Sequence, residues 1–196
     1  MSDQKKPRAY AFVDSQNLNL GVQKMGWKLS WRKFLEHLQR EYGVEKAYLF
    51  IGYVADNVAM YEQLHEMGYL IVLKRTLEVK NPEKPAPSSE KSEQMAETPK
   101  PIIKGNIDVE LAVWAVKEMP NYDRAIIVSG DGDFYALVEY LEQKKKLLHL
   151  MVPNWQYSSL LKDFESYVVR IDKMRRQLAY RQGGRSAKPK PTGDKS

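Results

Sequence analysis

The stretch Ala125-Ile-Ile-Val-Ser-Gly-Asp-Gly-Asp-Phe-Tyr-Ala-Leu-Val-Glu-Tyr-Leu-Glu-Gln-Lys144 carries the first decision about the fold. Its opening run, 125–128, is continuously apolar, which is how a strand buried on both faces of a parallel sheet reads. A turn rich in Gly and Asp follows, and from Phe134 to Lys144 the apolar residues recur three or four apart, the period of an amphipathic helix. Outward from this unit the same alternation repeats. Tyr10–Val13, Ala47–Ile51, Leu70–Leu73 and Leu147–Val152 are further apolar runs, and residues 31–42, 56–67 and 106–119 carry helical spacing. Strand and helix alternating at this rhythm predict a three-layer α/β/α sandwich with right-handed crossovers around a mainly parallel sheet.

The chain has 196 residues, enough for one domain with appendages. It has no cysteine, which excludes disulfides, thiolate metal sites and cysteine nucleophiles, and fits a reducing compartment. The three histidines, His37, His65 and His149, are far apart and form no paired zinc motif, so a bound metal would have to be hard and oxygen-ligated. The start, MSDQKKPRAYAFVD, turns acidic too soon for a secretion signal, and no run approaches the roughly 20 apolar residues that span a bilayer. The chain therefore reads as soluble and cytoplasmic, with no membrane partner. Its net charge of +6 is unevenly spread: residues 173–196 hold eight bases and one acid, leaving 23 bases and 24 acids in residues 1–172. The basicity belongs to a C-terminal extension, residues 173–196, read as the basic end of a helix followed by a disordered tail. Residues 77–103 hold five of the ten prolines and almost nothing apolar, and are expected to form a disordered internal loop.

In an open parallel sheet, ligands bind beyond the carboxyl ends of the strands. Asp14 follows directly on the first strand, and Asp131 and Asp133 lie just past Ala125–Val128. Asp108, near the start of the helix after the long loop, comes to the same edge. Each acid also has a structural role open to it: Asp133 as the cap of the next helix, Asp14 with Asn17 as a strand-to-helix turn, and Asp108 as a first-turn acid favoured by the helix dipole. Taken together, carboxylates converging from three distant parts of the chain repel unless a cation joins them, and Mg²⁺ or Mn²⁺ is the natural occupant. Glu110, two residues beyond Asp108 on the helix, points away.

Three motifs now carry a resemblance: Phe12-Val-Asp-Ser-Gln-Asn-Leu18, Lys104-Gly-Asn-Ile-Asp-Val-Glu-Leu-Ala-Val113 and Val128-Ser-Gly-Asp-Gly-Asp-Phe-Tyr-Ala-Leu-Val138. In this order they resemble the NYN domain, in its LabA-like branch, within the PIN-like nuclease superfamily, over residues 8–172. The resemblance implies a PIN-like fold with a central sheet of about five strands. It also implies Mg²⁺- or Mn²⁺-dependent endoribonuclease activity at acids matching Asp14, Asp108, Asp131 and Asp133. Asn17 matches the motif asparagine and Ser129 the small hydroxyl residue, either of which would orient water or phosphate. Two departures stand out: Trp114 occupies a position where relatives often carry a further acid, and Ser15-Gln16 replaces a common Gly-Glu. Trp114 falls on an apolar stripe with Ile107 and Leu111 and reads as core.

RNA, single-stranded or structured, is the expected partner, and a homodimer is compatible with the resemblance. Lys104, Trp155, Arg175, Arg176, Arg181 and Arg185 are the candidate RNA-binding residues. Trp155 and Tyr157 leave the last long strand at the same edge, where they either stack on unpaired bases or pack beneath their own loop. The alternative is an inactive or catalytically weak RNA-binding module on the same fold. A haloacid-dehalogenase-type phosphatase would need DxD where Asp14-Ser15-Gln16 stands, a receiver domain would need its Asp after the third strand, and a Toprim-like enzyme expects Glu at Asp14.

Overall fold

The computed structural model describes residues 7–74, 77–78, 103–104 and 107–181. From the N-terminus the chain runs β1 (Ala9–Asp14), α1 (Ser15–Lys24), α2 (Trp31–Tyr42), β2 (Val44–Gly52), α3 (Val58–Glu66) and β3 (Leu70–Lys74). It continues through β4 (Leu77–Glu78), β5 (Ile103–Lys104), α4 (Ile107–Lys117), β6 (Arg124–Val128) and α5 (Tyr135–Gln143), and ends with β7 (Leu147–Val152), β8 (Val168–Arg170) and α6 (Arg175–Leu178). Among the described residues no helix is long and apolar enough to cross a membrane.

Six strands form one sheet in the order β3-β2-β1-β6-β7-β8, every neighbouring pair parallel. The α/β/α class expected from the alternation is the one observed. The sixth strand, β8, pairs Val168–Arg170 with Leu150–Val152 and is too short to show a period in the sequence. The period-2 rule sorts the core cleanly. Ala9, Ala11 and Val13 of β1, with Ile126 and Val128 of β6, face Leu18, Val22, Phe34, Leu38 and Leu64 from α1, α2 and α3. Tyr10, Phe12, Ala125 and Ile127 face Leu111 and Ala115 of α4 and Leu137, Val138 and Leu141 of α5.

Helix α2 starts and stops where its sequence says, with Ser30 accepting from the Lys33 N–H at 3.5 Å and Gly43 at φ 66° ending it. Helix α1 is not marked by apolar spacing, since only Leu18 and Val22 are buried in it. It is fixed instead by Asp14 at its cap and by close approach at Gly21, where a Cβ would stand 2.3 Å from the Pro153 Cβ.

The segment 77–103 begins and ends differently from the expectation of a disordered loop. Leu77 pairs with Lys104 and Glu78 with Ile103 in a two-stranded antiparallel ladder; residues 79–102 lie outside the described residues. At the other end, packing continues beyond residue 172: Leu178 is buried in the core, the Ser30 N–H donates to its carbonyl at 2.8 Å, and Leu29 bridges to Ala179. Residues 182–196, including Arg185, lie outside the described residues.

Candidate active site

Strands β1, β2 and β3 step outward in one direction from β1, and β6, β7 and β8 step outward in the other. The order therefore reverses between β1 and β6, and the crevice beyond their carboxyl ends is the switch point at which such sheets bind ligands. Asp14 closes β1 and Ser129 follows β6 at this point.

Asp14 is buried, and its two oxygens have different partners. Oδ1 accepts the Asn17 N–H at 3.0 Å, capping α1, and Oδ2 accepts the Ser129 hydroxyl at 3.1 Å. The same Ser129 oxygen accepts the Asp131 N–H at 3.2 Å, and Asn17 Oδ1 accepts the Gly130 N–H at 2.9 Å. Asp131 in turn accepts the Asp133 N–H at 3.1 Å, capping the 3₁₀ turn Gly132–Phe134. Asp133 does not cap α5, whose cap position is Phe134 with no side-chain cap hydrogen bond. Hydrogen bonds across the β1/β6 junction fix Asp14 relative to Asp131, with no ion pair to either among the described residues. Burial raises the Asp14 carboxyl above its ordinary value, opposed by the Asn17 and Ser129 hydrogen bonds and reinforced by the Asp131 charge.

Asp14, Asp108 and Asp131 line one cavity of about 290 Å³ with Gln16, Asn17, Leu20 and Ile107. Asp108 enters it from the first turn of α4. Partial burial, followed by the charges of Asp14, Asp131 and Asp133, raises its carboxyl to about 6 against the pull of Lys74. Asp133 adds to this field, but its side chain is exposed and off the cavity wall. Glu110 is off the cavity wall, as its helical position predicts, and pairs with Lys74 at 3.5 Å. Lys74, the last residue of β3, is a site-edge cation that the sequence reading passed over. The signal was available, because the carboxyl-end rule applies to bases as well as acids.

Among the described residues no three Asp, Glu or His side chains are gathered tightly enough to make a ready metal cage. The donor set is nevertheless all hard oxygen, with no histidine on the cavity wall. One or two direct carboxylates, with the others reached through water, is the manner in which Mg²⁺ is usually held. The residues suit a hydrated Mg²⁺ or Mn²⁺ and do not suit Zn²⁺.

In chelator, Asp108→Asn is expected to be more stable than the wild type at neutral pH, and the gap closes as pH falls through about 6 towards 3.8. In that window native Asp108 binds a proton that the unfolded chain does not, so the wild type gains stability. Burial lowers His37 and His149, which act in the opposite sense below about 6.5, but equally in both proteins, so they cancel in the difference. Urea melts of the two proteins across this range measure the gap; a pH-independent gap contradicts the field described.

The remaining sequence candidates are scattered. Lys104 lies in β5, opposite Leu77. Trp155 is 57% exposed and does not pack beneath its loop, whereas Tyr157 is half-buried. Arg175, Arg176 and Arg181 are exposed, Arg175 donating to the Gly26 carbonyl at 3.3 Å and Arg181 to that of Arg176 at 3.4 Å. Trp114, expected in the core, packs against its edge half-buried: it lies against Tyr48 with Lys117 over its ring, and it lines an apolar groove beside β3.

Known proteins share this fold. The chain is 25% identical over 142 residues to the low amplitude and bright protein LabA of Synechococcus elongatus, covering 70% of this chain and 69% of that protein. It superposes with a TM-score of 0.65 on the crystal structure of a protein of unknown function from Vibrio parahaemolyticus, at 23% identity, covering 92% of this chain and all of the other. The second likeness speaks for the fold alone. The sequence profile of the NYN domain matches residues 8–172, the whole span from β1 to β8 that builds the aspartate crevice, and by that match the chain belongs to the NYN domain family.

Proposed function

We propose that this chain is a Mg²⁺- or Mn²⁺-dependent endoribonuclease that hydrolyses RNA phosphodiester bonds at Asp14, Asp108 and Asp131. The observation that carries the reading is the convergence of these three carboxylates, from β1, α4 and the β6 exit, on one cavity at the switch point. Membership of a family of PIN-like nucleases supports it. A divalent ion bound there would supply charge shielding for the phosphate and a water activated near neutral pH.

Asp14 and Asp131 would hold the ion directly, because hydrogen bonds across the β1/β6 junction fix their positions. Asp108, with its raised carboxyl, and the exposed Asp133 would act through water. The Asn17 oxygen is committed to Gly130, which leaves its NH₂ group for a phosphate oxygen or water in the cavities it lines. The Ser129 hydrogen is committed to Asp14, so its part is to hold that carboxylate rather than to orient water. Lys74, whose charge reaches Asp108, would provide positive charge at the rim for flanking phosphates.

The experiment is a cleavage assay on RNA and DNA with Mg²⁺, with Mn²⁺ and with chelator, beside Asp131→Asn. Metal-supported RNA cleavage that disappears in the variant is expected; cleavage that survives it unchanged overturns the reading. The binding-module alternative draws on Trp114 and on the absence of a tight carboxylate cage among the described residues. It requires RNA binding with no cleavage under either metal.

The basic extension is read as a sequence-independent RNA contact. Deleting residues 183–196 removes Arg185, Lys188, Lys190 and Lys195. Every phosphate that the shortened chain no longer engages should lower the log–log salt slope of single-strand binding by about 0.7. Titrations at several salt concentrations measure it, and an unchanged slope excludes the tail from the interface.

A further inference from the structure

We infer that the loop leaving β7 is a stacking subsite for an unpaired nucleotide beside the scissile bond, with Trp155 as its platform, so that the substrate is RNA that is single-stranded on that side. The inference rests on the RNA reading above and adds to it where the strand runs.

The surface offers a continuous path away from the aspartates. Their cavity shares Asn17 and Leu20 with a second one of about 160 Å³, walled by Gly21, Lys24, Gly130, Asn154 and Gln156. Tyr157 lines this second cavity and also a third, of about 370 Å³, which holds Trp155, Glu165, Arg170 and Lys173.

The loop that carries both aromatics is fixed at several points. Asn154, itself buried, donates through Nδ2 to the Gly21 carbonyl at 2.9 Å and accepts the Gln156 N–H at 2.7 Å. The Ser158 N–H donates to the Gly130 carbonyl at 2.9 Å, and the Asp172 N–H to that of Pro153 at 3.0 Å. Backbone contact at Gly21 and Gly130, where a Cβ would stand 2.3 Å from Pro153 and 3.1 Å from the Tyr157 Cβ, presses the loop onto α1 and the β6 exit. A large apolar ring usually buries itself when its loop can move. Here the loop is held and Trp155 is still presented to solvent, with no ring partner among the described residues.

Charge changes sign along the path. The first cavity is walled by three carboxylates. The second and third hold Lys24 and Lys173, neither in an ion pair among the described residues, while Arg170 is bound to Asp172 at 2.6 Å and Glu165 is the opposing acid. A base on Trp155 would place its flanking phosphates towards these two lysines. Stacking needs an open base face, which an intact duplex does not offer.

The test is binding by the full chain in chelator, where no turnover is needed. The probes are a labelled oligouridine, the same strand in a duplex with oligoadenosine, and its abasic counterpart. Trp155→Ala should weaken oligouridine binding by about 5- to 150-fold, the range for removal of one base stack, with Trp155→Phe recovering most of it. Lys173→Ala should lower the salt slope by about 0.7. Duplex and abasic probes should respond little to Trp155→Ala. Equal oligouridine affinity in wild type and Trp155→Ala overturns the subsite, as does an equal weakening on the abasic strand or a wild type that binds no RNA. Failure of the nuclease reading looks different: a wild type that binds through Trp155 but does not cleave retains the subsite and gives up only the hydrolysis.

Discussion

In Asp131→Asn, metal-supported RNA cleavage is expected to fall by about 100-fold or more while the fold survives. The fall should reach or exceed the roughly 10- to 100-fold that removal of a metal ligand's supporting partner costs. The fold should survive because the replacement amide keeps an oxygen to accept the Asp133 N–H, and because the Asp131 N–H to Ser129 bond belongs to the backbone. One charge leaves the field that raises Asp108 and Asp14, so the variant should melt at or above the wild-type temperature in chelator. With Mg²⁺ or Mn²⁺ the order should reverse. A ligand that binds only the folded state stabilises it by about 2.7 kcal/mol at a hundredfold excess over its dissociation constant, and the variant should gain much less. Thermal melts with and without metal, run beside the cleavage assay, read both effects. A destabilised variant with no metal response in either protein would make Asp131 a cap residue only. Glu110→Gln is the control: its partner is Lys74, so it should leave the metal response intact.

Ser129→Ala is expected to reduce both stability and activity. Its hydroxyl is fully buried and serves two neighbours, donating to Asp14 and accepting from the Asp131 N–H. Removing it leaves a buried carboxylate without one donor and a backbone N–H without its acceptor, each costing about 1–3 kcal/mol when unsatisfied. The Asp14 carboxyl should rise further, because the Ser129 bond is one of those that hold it down. Metal affinity and cleavage should fall by roughly 10- to 100-fold, the scale for removing a group that supports a metal ligand. Ser129→Thr, which keeps the hydroxyl, should recover part of the activity. Urea melts and metal titrations separate the two effects; a variant with unchanged metal affinity would remove Ser129 from the support of the site.

Much of this architecture could be read from residue order. Helix α2 spans Trp31–Tyr42 as its period requires, because Ser30 and Gly43 mark both ends chemically. Helix α1 was not legible in the same way. Its polar sequence, SQNLNLGVQK, buries only two side chains, and it is held by Asp14, by Ser15 donating to the Phe50 carbonyl at 2.7 Å and by a proline from a loop far along the chain. β8 was hidden because three residues carry no period.

The apolar runs and the acids that follow them were enough to establish an α/β sandwich and to nominate Asp14, Asp108, Asp131 and Asp133, since burial on both faces and strand-end placement are local properties of the chain. Strand order is not local. That β1 and β6 are neighbours, with the sheet reversing direction between them, follows from which crossovers pack on which face, and this adjacency brings Ser129 onto Asp14 and Gly130 onto Asn17. The same packing left Asp133 exposed, brought the Lys74 charge within reach of Asp108 and held Trp155 out in solvent, because a side chain's neighbours are set by surfaces that meet only after the chain has folded.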